Sequence, residues 1–150
     1  KAKYVGESKF VFVASPDYLE KFGTPKRPED LVKHKCIFSP LGPNSERNEW
    51  VVTNGSRKEK IKFIPQWKVN HKGLACTFVR AGHGISLLPS PMVNRFLESK
   101  ELIHVLSPWG LESAPLHLVY PPQKVTSRKV REVSKFLEIR IREMMTLGKI

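Results

Sequence analysis

Apolar positions along this chain fall into short continuous runs and helical stripes, separated by proline- and glycine-bearing polar stretches. Phe10–Ala14 (FVFVA) is an unbroken apolar run, the pattern of a strand covered on both faces. Ser15 follows where an N-cap belongs and Pro16 at the first helical position. A helix is therefore expected there, with Tyr18, Leu19 and Phe22 turned inward and Gly23 at its end. Pro28 opens a second short helix, Glu29–His34, with acids in its first turn. Cys36–Ser39 reads as the next strand, ended by Pro40, Gly42 and Pro43. Glu49–Thr53 and Lys60–Ile64 flank Asn54-Gly55, a strong hairpin signal with a longer polar tip behind it.

Residues 69–89, VNHKGLACTFVRAGHGISLLP, carry the clearest pattern. Asn70 stands at an N-cap position. Leu74, Ala75, Phe78 and Val79 share one helical face, and Gly82 suits the left-handed residue that ends a helix. Ile85, Leu87 and Leu88 make a buried strand that Pro89 stops. Ser90-Pro91 then caps a helix at Met92–Leu97, and Leu102–Leu106 and Leu116–Tyr120 read as two more strands. Thr126 or Ser127 caps a last helix, to about Met145, whose stripe is Val130, Val133, Leu137, Ile141 and Met144. Strands alternating with helices predict an α/β layer structure with a mainly parallel sheet flanked by helices.

Composition narrows the class. The chain has 150 residues, 40% of them apolar, enough for one domain with a real core. No run of 18 apolar residues is present, so no membrane span is expected. No charged-then-apolar leader is visible, and the opening Lys1-Ala2-Lys3 suggests a fragment. Cys36 and Cys76 sit in apolar surroundings and read as reduced core thiols. No CxxC or HExxH spacing supports a metal site, and no cofactor is expected: Gly82-His83-Gly84 follows a helix and precedes a strand, the reverse of a dinucleotide loop. No GxSxG elbow and no nucleophile-base pair supports an enzyme. The net charge is +12, concentrated in residues 55–72 and 124–150. It fits either attraction to a polyanion or a solvated face.

In open α/β sheets ligands bind beyond the C-terminal ends of the strands. Two loops qualify. Phe38-Ser39-Pro40 ends a strand, with Ser39 able to donate to an oxyanion and Phe38 to pack on an apolar ligand body; a local turn hydrogen bond is the plainer role for Ser39. Asn70-His71-Lys72 lies at a helix N-terminus, whose free N–H groups and dipole favour a small anion; a simple N-cap is the plainer role for Asn70. His83 is a further candidate donor or an exposed loop residue. Trp50, Trp67 and Trp109 read as core or surface aromatics.

The block at 69–89 resembles the "aG.Gi..lP" segment of the effector-binding domain of LysR-type bacterial transcription regulators. Residues 10–38, FVFVASPDYLEKFGTPKRPEDLVKHKCIF, are similar to that family's strand, "aSp.Yl...G.P..p.dL..h", strand. Trp50 sits where a tryptophan often opens the next strand, and LHLVYPPQKVTSRKVREVSKFLEI at 116–139 resembles the closing strand and helix. The resemblance implies a periplasmic-binding-protein-like (type 2) fold of two lobes with an effector in the cleft between them. Residues 10–14 and 116–120 would be crossover strands, 15–115 the second lobe, and 121–150 the returning C-terminal helix of the first lobe. The loop at Phe38–Pro40 matches a place from which the family often draws cleft residues. It further implies a small, anionic effector, a homodimer or tetramer, a bacterial cytoplasmic location, and DNA contact only through a winged helix-turn-helix that this chain lacks. A periplasmic solute-binding protein is the alternative function.

Overall fold

A computed structural model describes residues 2–40, 47–120 and 127–147. The elements are β1 (Ala2–Ala14), α1 (Pro16–Phe22), a 3-10 helix (Pro28–Lys33), β2 (Ile37–Phe38), β3 (Glu49–Thr53), β4 (Lys58–Lys62), β5 (Trp67–Lys68), α2 (Lys72–Arg80), β6 (Ser86–Pro89), α3 (Ser90–Glu98), β7 (Ile103–Val119) and α4 (Arg128–Leu147). The chain divides into two compact units, Lys9–Glu112 and the described parts of Lys1–Ser8 with Ser113–Ile150.

Within Lys9–Glu112, the local signals act as expected. Ser15 Oγ accepts from the Tyr18 N–H at 3.2 Å, Pro16 occupies the first turn, and Gly23 ends α1 with φ +81°. The hairpin pairs Glu49 with Lys62 through Thr53 with Lys58. Its turn is closed by Asn54, whose side-chain oxygen accepts from Ser56 and Arg57 N–H groups.

The sheet departs from the parallel expectation. Five strands run in the order β4-β3-β7-β1-β6, and β1–β6, β3–β4 and β3–β7 are antiparallel. Parallel pairing is seen in the separate two-stranded sheet β2–β5 and at the isolated bridge Cys36–Ile85, just before β2 and β6. The α/β class stands, with an antiparallel five-stranded sheet and a separate two-stranded parallel one. The apolar runs could not reveal this, because a strand buried on both faces looks the same in either direction.

Burial on both faces is what those runs encode. Phe12, Ala14, Phe38 and Leu87 face one cluster with Tyr18, Leu31, Trp50, Val52, Ile61 and Phe63. Their sequence neighbours Val13, Ile37 and Leu88 face a second cluster with Ala75, Cys76, Val79, Val93, Phe96 and Leu102. The period of two along β1, β2 and β6 thus sorts adjacent residues into opposite layers. Cys36 and Cys76 are both free thiols and lie in different layers. Burial pushes the Cys36 thiol up to about 12, so it stays protonated and inert.

Some inward assignments are corrected. Phe22 and Leu74 are exposed, and Cys76 takes the buried place on α2 beside Ala75 and Val79. Phe22 instead stacks on Tyr18 at 4.8 Å and lies under the Lys35 ammonium. α3 starts at Ser90 with Pro89 before it and no side-chain cap. The two strands expected at 102–106 and 116–120 are one, Ile103–Val119. Continuity follows from the residues between them: Gly110 pairs with Thr53, and Trp109 and Leu111 pack on the core. Gly84 is required by close approach, since a Cβ there would fall 2.3 Å from the Lys35 carbonyl oxygen.

In the other unit, the edge of the Tyr4 ring meets His117 at 5.9 Å, Ser113 donates to Glu7, and Lys3 pairs with Glu138 at 2.6 Å. Ser127 caps α4 by accepting from the Val130 N–H; Thr126 lies outside the described residues. The expected apolar stripe of α4 divides. Val130, Ser134, Glu138, Ile141 and Met145 are half-buried, whereas Val133, Phe136, Leu137 and Met144 are 39–62% exposed.

Candidate functional site

Parallel pairing of β2 with β5 sets Ile37 opposite Trp67 and Phe38 opposite Lys68. Both strands therefore end at the same edge, and the Val69 N–H continues the ladder onto the Phe38 carbonyl at 2.9 Å. This brings Ser39 and Pro40 beside the turn into α2. The tie is direct: the Lys72 ammonium donates to the Ser39 carbonyl at 2.5 Å, across 33 positions of sequence. The two loops singled out by their place after strands are thus one locality.

The helix end differs from the expected one. His71, not Asn70, is the N-cap of α2. Its Nδ1 accepts from the Gly73 N–H at 3.1 Å. Gly73 leaves room for the cap, because a Cβ there would meet the His71 ring at 2.9 Å. Asn70 is an exposed residue one place earlier. The reason is backbone geometry: Val69 is still tied to β2, and the first helical acceptor is the His71 carbonyl, which takes the Ala75 N–H.

Ser39 is 3% exposed, and its hydroxyl has no hydrogen-bond partner among the described residues. A buried, unpartnered hydroxyl is unfavourable by itself. Lys72 is the other strained group. Burial alone lowers its ammonium from 10.5 to about 8, and no acid bonds to it among the described residues. Its Nζ also lies 5.9 Å over the Phe10 ring. Phe10 is the member of this site that motif reading missed. Its only trace in the sequence is its place at the head of the FVFVA run.

The remaining candidates separate. The Phe38 ring is 2% exposed and packs against Trp50 and Phe63, so it braces the strand end from the core side. Pro40 is half-buried. His83 lies past the other end of α2, where its N–H donates to the Phe78 carbonyl and its ring meets Phe78 and Trp67. Nine helical residues, about 13 Å of rise, stand between it and the Ser39–Lys72 locality.

Residues 1–141 match the LysR substrate binding domain. The chain belongs to this family. It is 33% identical over 138 residues to the HTH-type transcriptional regulator YhjC of Escherichia coli, covering 91% of this chain and 46% of that protein. It is 31% identical over 134 residues to an HTH-type transcriptional regulator of Haemophilus influenzae, covering 89% of this chain and 46% of that one. The chain thus spans less than half the length of these relatives. Among solved structures, the regulatory domain of the LysR-type regulator CrgA from Neisseria meningitidis superposes with a TM-score of 0.81 at 26% identity, over 93% of this chain and 68% of that one. Full-length AphB of Vibrio cholerae, a virulence activator, gives 0.79 at 26% identity, over 93% and 47%. These relatives of the LysR-family chain are transcription regulators, not enzymes or periplasmic carriers. Among its described residues, no helix is long and apolar enough to cross a membrane.

Proposed function

We propose that the chain is the effector-sensing part of a longer bacterial transcription regulator, and that a small anionic metabolite is its effector. Family membership supports the role. The observation that carries the ligand chemistry is the buried Ser39 hydroxyl, without a hydrogen-bond partner among the described residues, beside Lys72 at the N-terminus of α2. Ser39 Oγ and the ammonium are donors, and the helix dipole adds partial positive charge. Asn70 and His71 belong to the rim of this site, with His71 holding the helix end in place. His83 is too far along α2 to share a small ligand with them.

In this reading the ligand lies in a cleft whose other wall is supplied by a first lobe, and it acts by favouring one arrangement of the two lobes. That shift would be passed to a DNA-binding domain in a homodimer or tetramer, in the cytoplasm. The isolated chain, carrying one wall, binds more weakly than the two-lobed domain.

Thermal unfolding of the chain with panels of small organic acids, amines and neutral sugars tests the ligand class. A ligand at 100 times its dissociation constant adds about 2.7 kcal/mol, a readable shift. Stabilisation by acids is expected. Stabilisation by sugars or amines alone would refute the anionic reading.

A further inference from the structure

Lys72 is the cation tied directly into this site, which has a consequence for the anions it accepts; the inference rests on the effector reading above. We propose that Lys72 selects the charge of the ligand, so that the site takes a small monocarboxylate and rejects cations and dianions. The geometry ties one positive charge, that of Lys72, into the half-buried site; Lys9 and Lys68, the latter 5.8 Å over the Phe38 ring, are exposed to solvent. Lys72 is half-buried, is tied to the Ser39 carbonyl, lies over the Phe10 ring, and touches no carboxylate among the described residues. One negative charge placed beside it is compensated. A second would be desolvated without a partner, which is strongly unfavourable. A cation would meet like charge. Two groups suit a carboxylate in particular: Ser39 Oγ is a buried donor without a partner among the described residues, and the ring of Phe10, partly buried on the core, offers an apolar surface.

The same arrangement links binding to a proton. With burial holding the lysine near 8, part of it is neutral in mildly alkaline solution. A bound carboxylate favours the charged form, so binding draws a proton onto Lys72 and weakens as pH rises through about 8. On the elements that meet it, β1 carries Lys9 beside Phe10 and also Glu7, which accepts from Ser113, β5 carries Lys68, and α2 carries His71 at its cap, the buried Cys76 thiol and Arg80, which pairs with Glu101. Neither Glu7 nor Glu101 is paired with Lys72 among the described residues, so neither holds the lysine protonated in the ligand's place.

Titration calorimetry of the chain with matched probes tests this: butyrate and benzoate, their dianionic counterparts succinate and phthalate, and butylamine and benzylamine. At pH 7 a monocarboxylate is expected to bind at least tenfold more tightly than its matched dianion, and the amines not to bind. Affinity should fall severalfold between pH 7 and 9. Lys72→Met should lose at least tenfold in affinity together with the pH dependence, and Lys72→Arg should keep the affinity and lose the pH dependence. Equal monocarboxylate binding by wild type and Lys72→Met, or tighter binding of the dianion, would overturn the role of Lys72 and leave the effector reading standing. Absence of binding by every acid would overturn both.

Discussion

Replacing Ser39 by Ala should move folding and ligand binding in opposite directions. The hydroxyl is buried to 3% exposure and has no partner among the described residues. In the unliganded chain its removal relieves a buried polar group left without a hydrogen bond, which costs roughly 1–3 kcal/mol in proteins. Allowing for the lost contacts of one oxygen atom, a net gain of about 1 kcal/mol is expected. For a chain of this size that raises the unfolding midpoint by about 2–4 °C. With the anion bound, the same hydroxyl donates to a charged oxygen, an interaction worth roughly 1.5–3 kcal/mol. Its loss should weaken binding by roughly 10- to 150-fold. Thermal unfolding by circular dichroism, without ligand and with the carboxylate that protects the wild-type chain, reads both effects in one experiment. A variant that is less stable and binds as before would refute the argument, since the hydroxyl would then serve the fold.

Three further outcomes follow from other parts of the structure. The Tyr18 hydroxyl accepts from the Lys35 N–H at 2.9 Å and lies 3.0 Å from His34 Nδ1, so Tyr18→Phe should cost about 1–2 kcal/mol, read by urea unfolding; a change under 0.5 kcal/mol would show these bonds to be exchangeable with water. Burial holds Lys72 near 8 in the folded chain against about 10.5 when unfolded. Between those values the unfolded chain binds more protons, so stability should rise with pH, by on the order of 1–3 kcal/mol. Lys72→Met should remove that rise, and parallel pH profiles for the two proteins would exclude burial as the cause. Val133, Phe136, Leu137 and Met144 leave an apolar face of α4 exposed, and burying each such side chain fully is worth about 1.5–3 kcal/mol. Leu137→Asp should therefore reduce self-association of the chain in sedimentation across a concentration series, with little effect on the stability of Lys9–Glu112; a wild-type chain that stays monomeric throughout would contradict it.

What the sequence determined by itself is what depends on neighbouring residues. Ser15 and Pro16 start α1, Gly23 stops it, Asn54 closes the hairpin, and FVFVA is a strand buried on both faces, because each follows from contacts a few residues apart. The order of the blocks also carried the family. Tertiary structure decided what depends on pairing. Whether β1 runs with or against β6, and whether 102–120 is one strand or two, turns on hydrogen bonds to distant segments, and the burial pattern of a doubly covered strand is the same in either case. The site divides in the same way. Placement of Ser39 and Lys72 after strands was legible as two separate loops. That they form one locality depends on the parallel β2–β5 ladder, which ends both strands at the same edge. The cap passed from Asn70 to His71 because Val69 is held in that ladder and the helix begins only where it lets go. The lowered ammonium of Lys72 has no counterpart in the sequence at all, since desolvation comes from what surrounds a group in space.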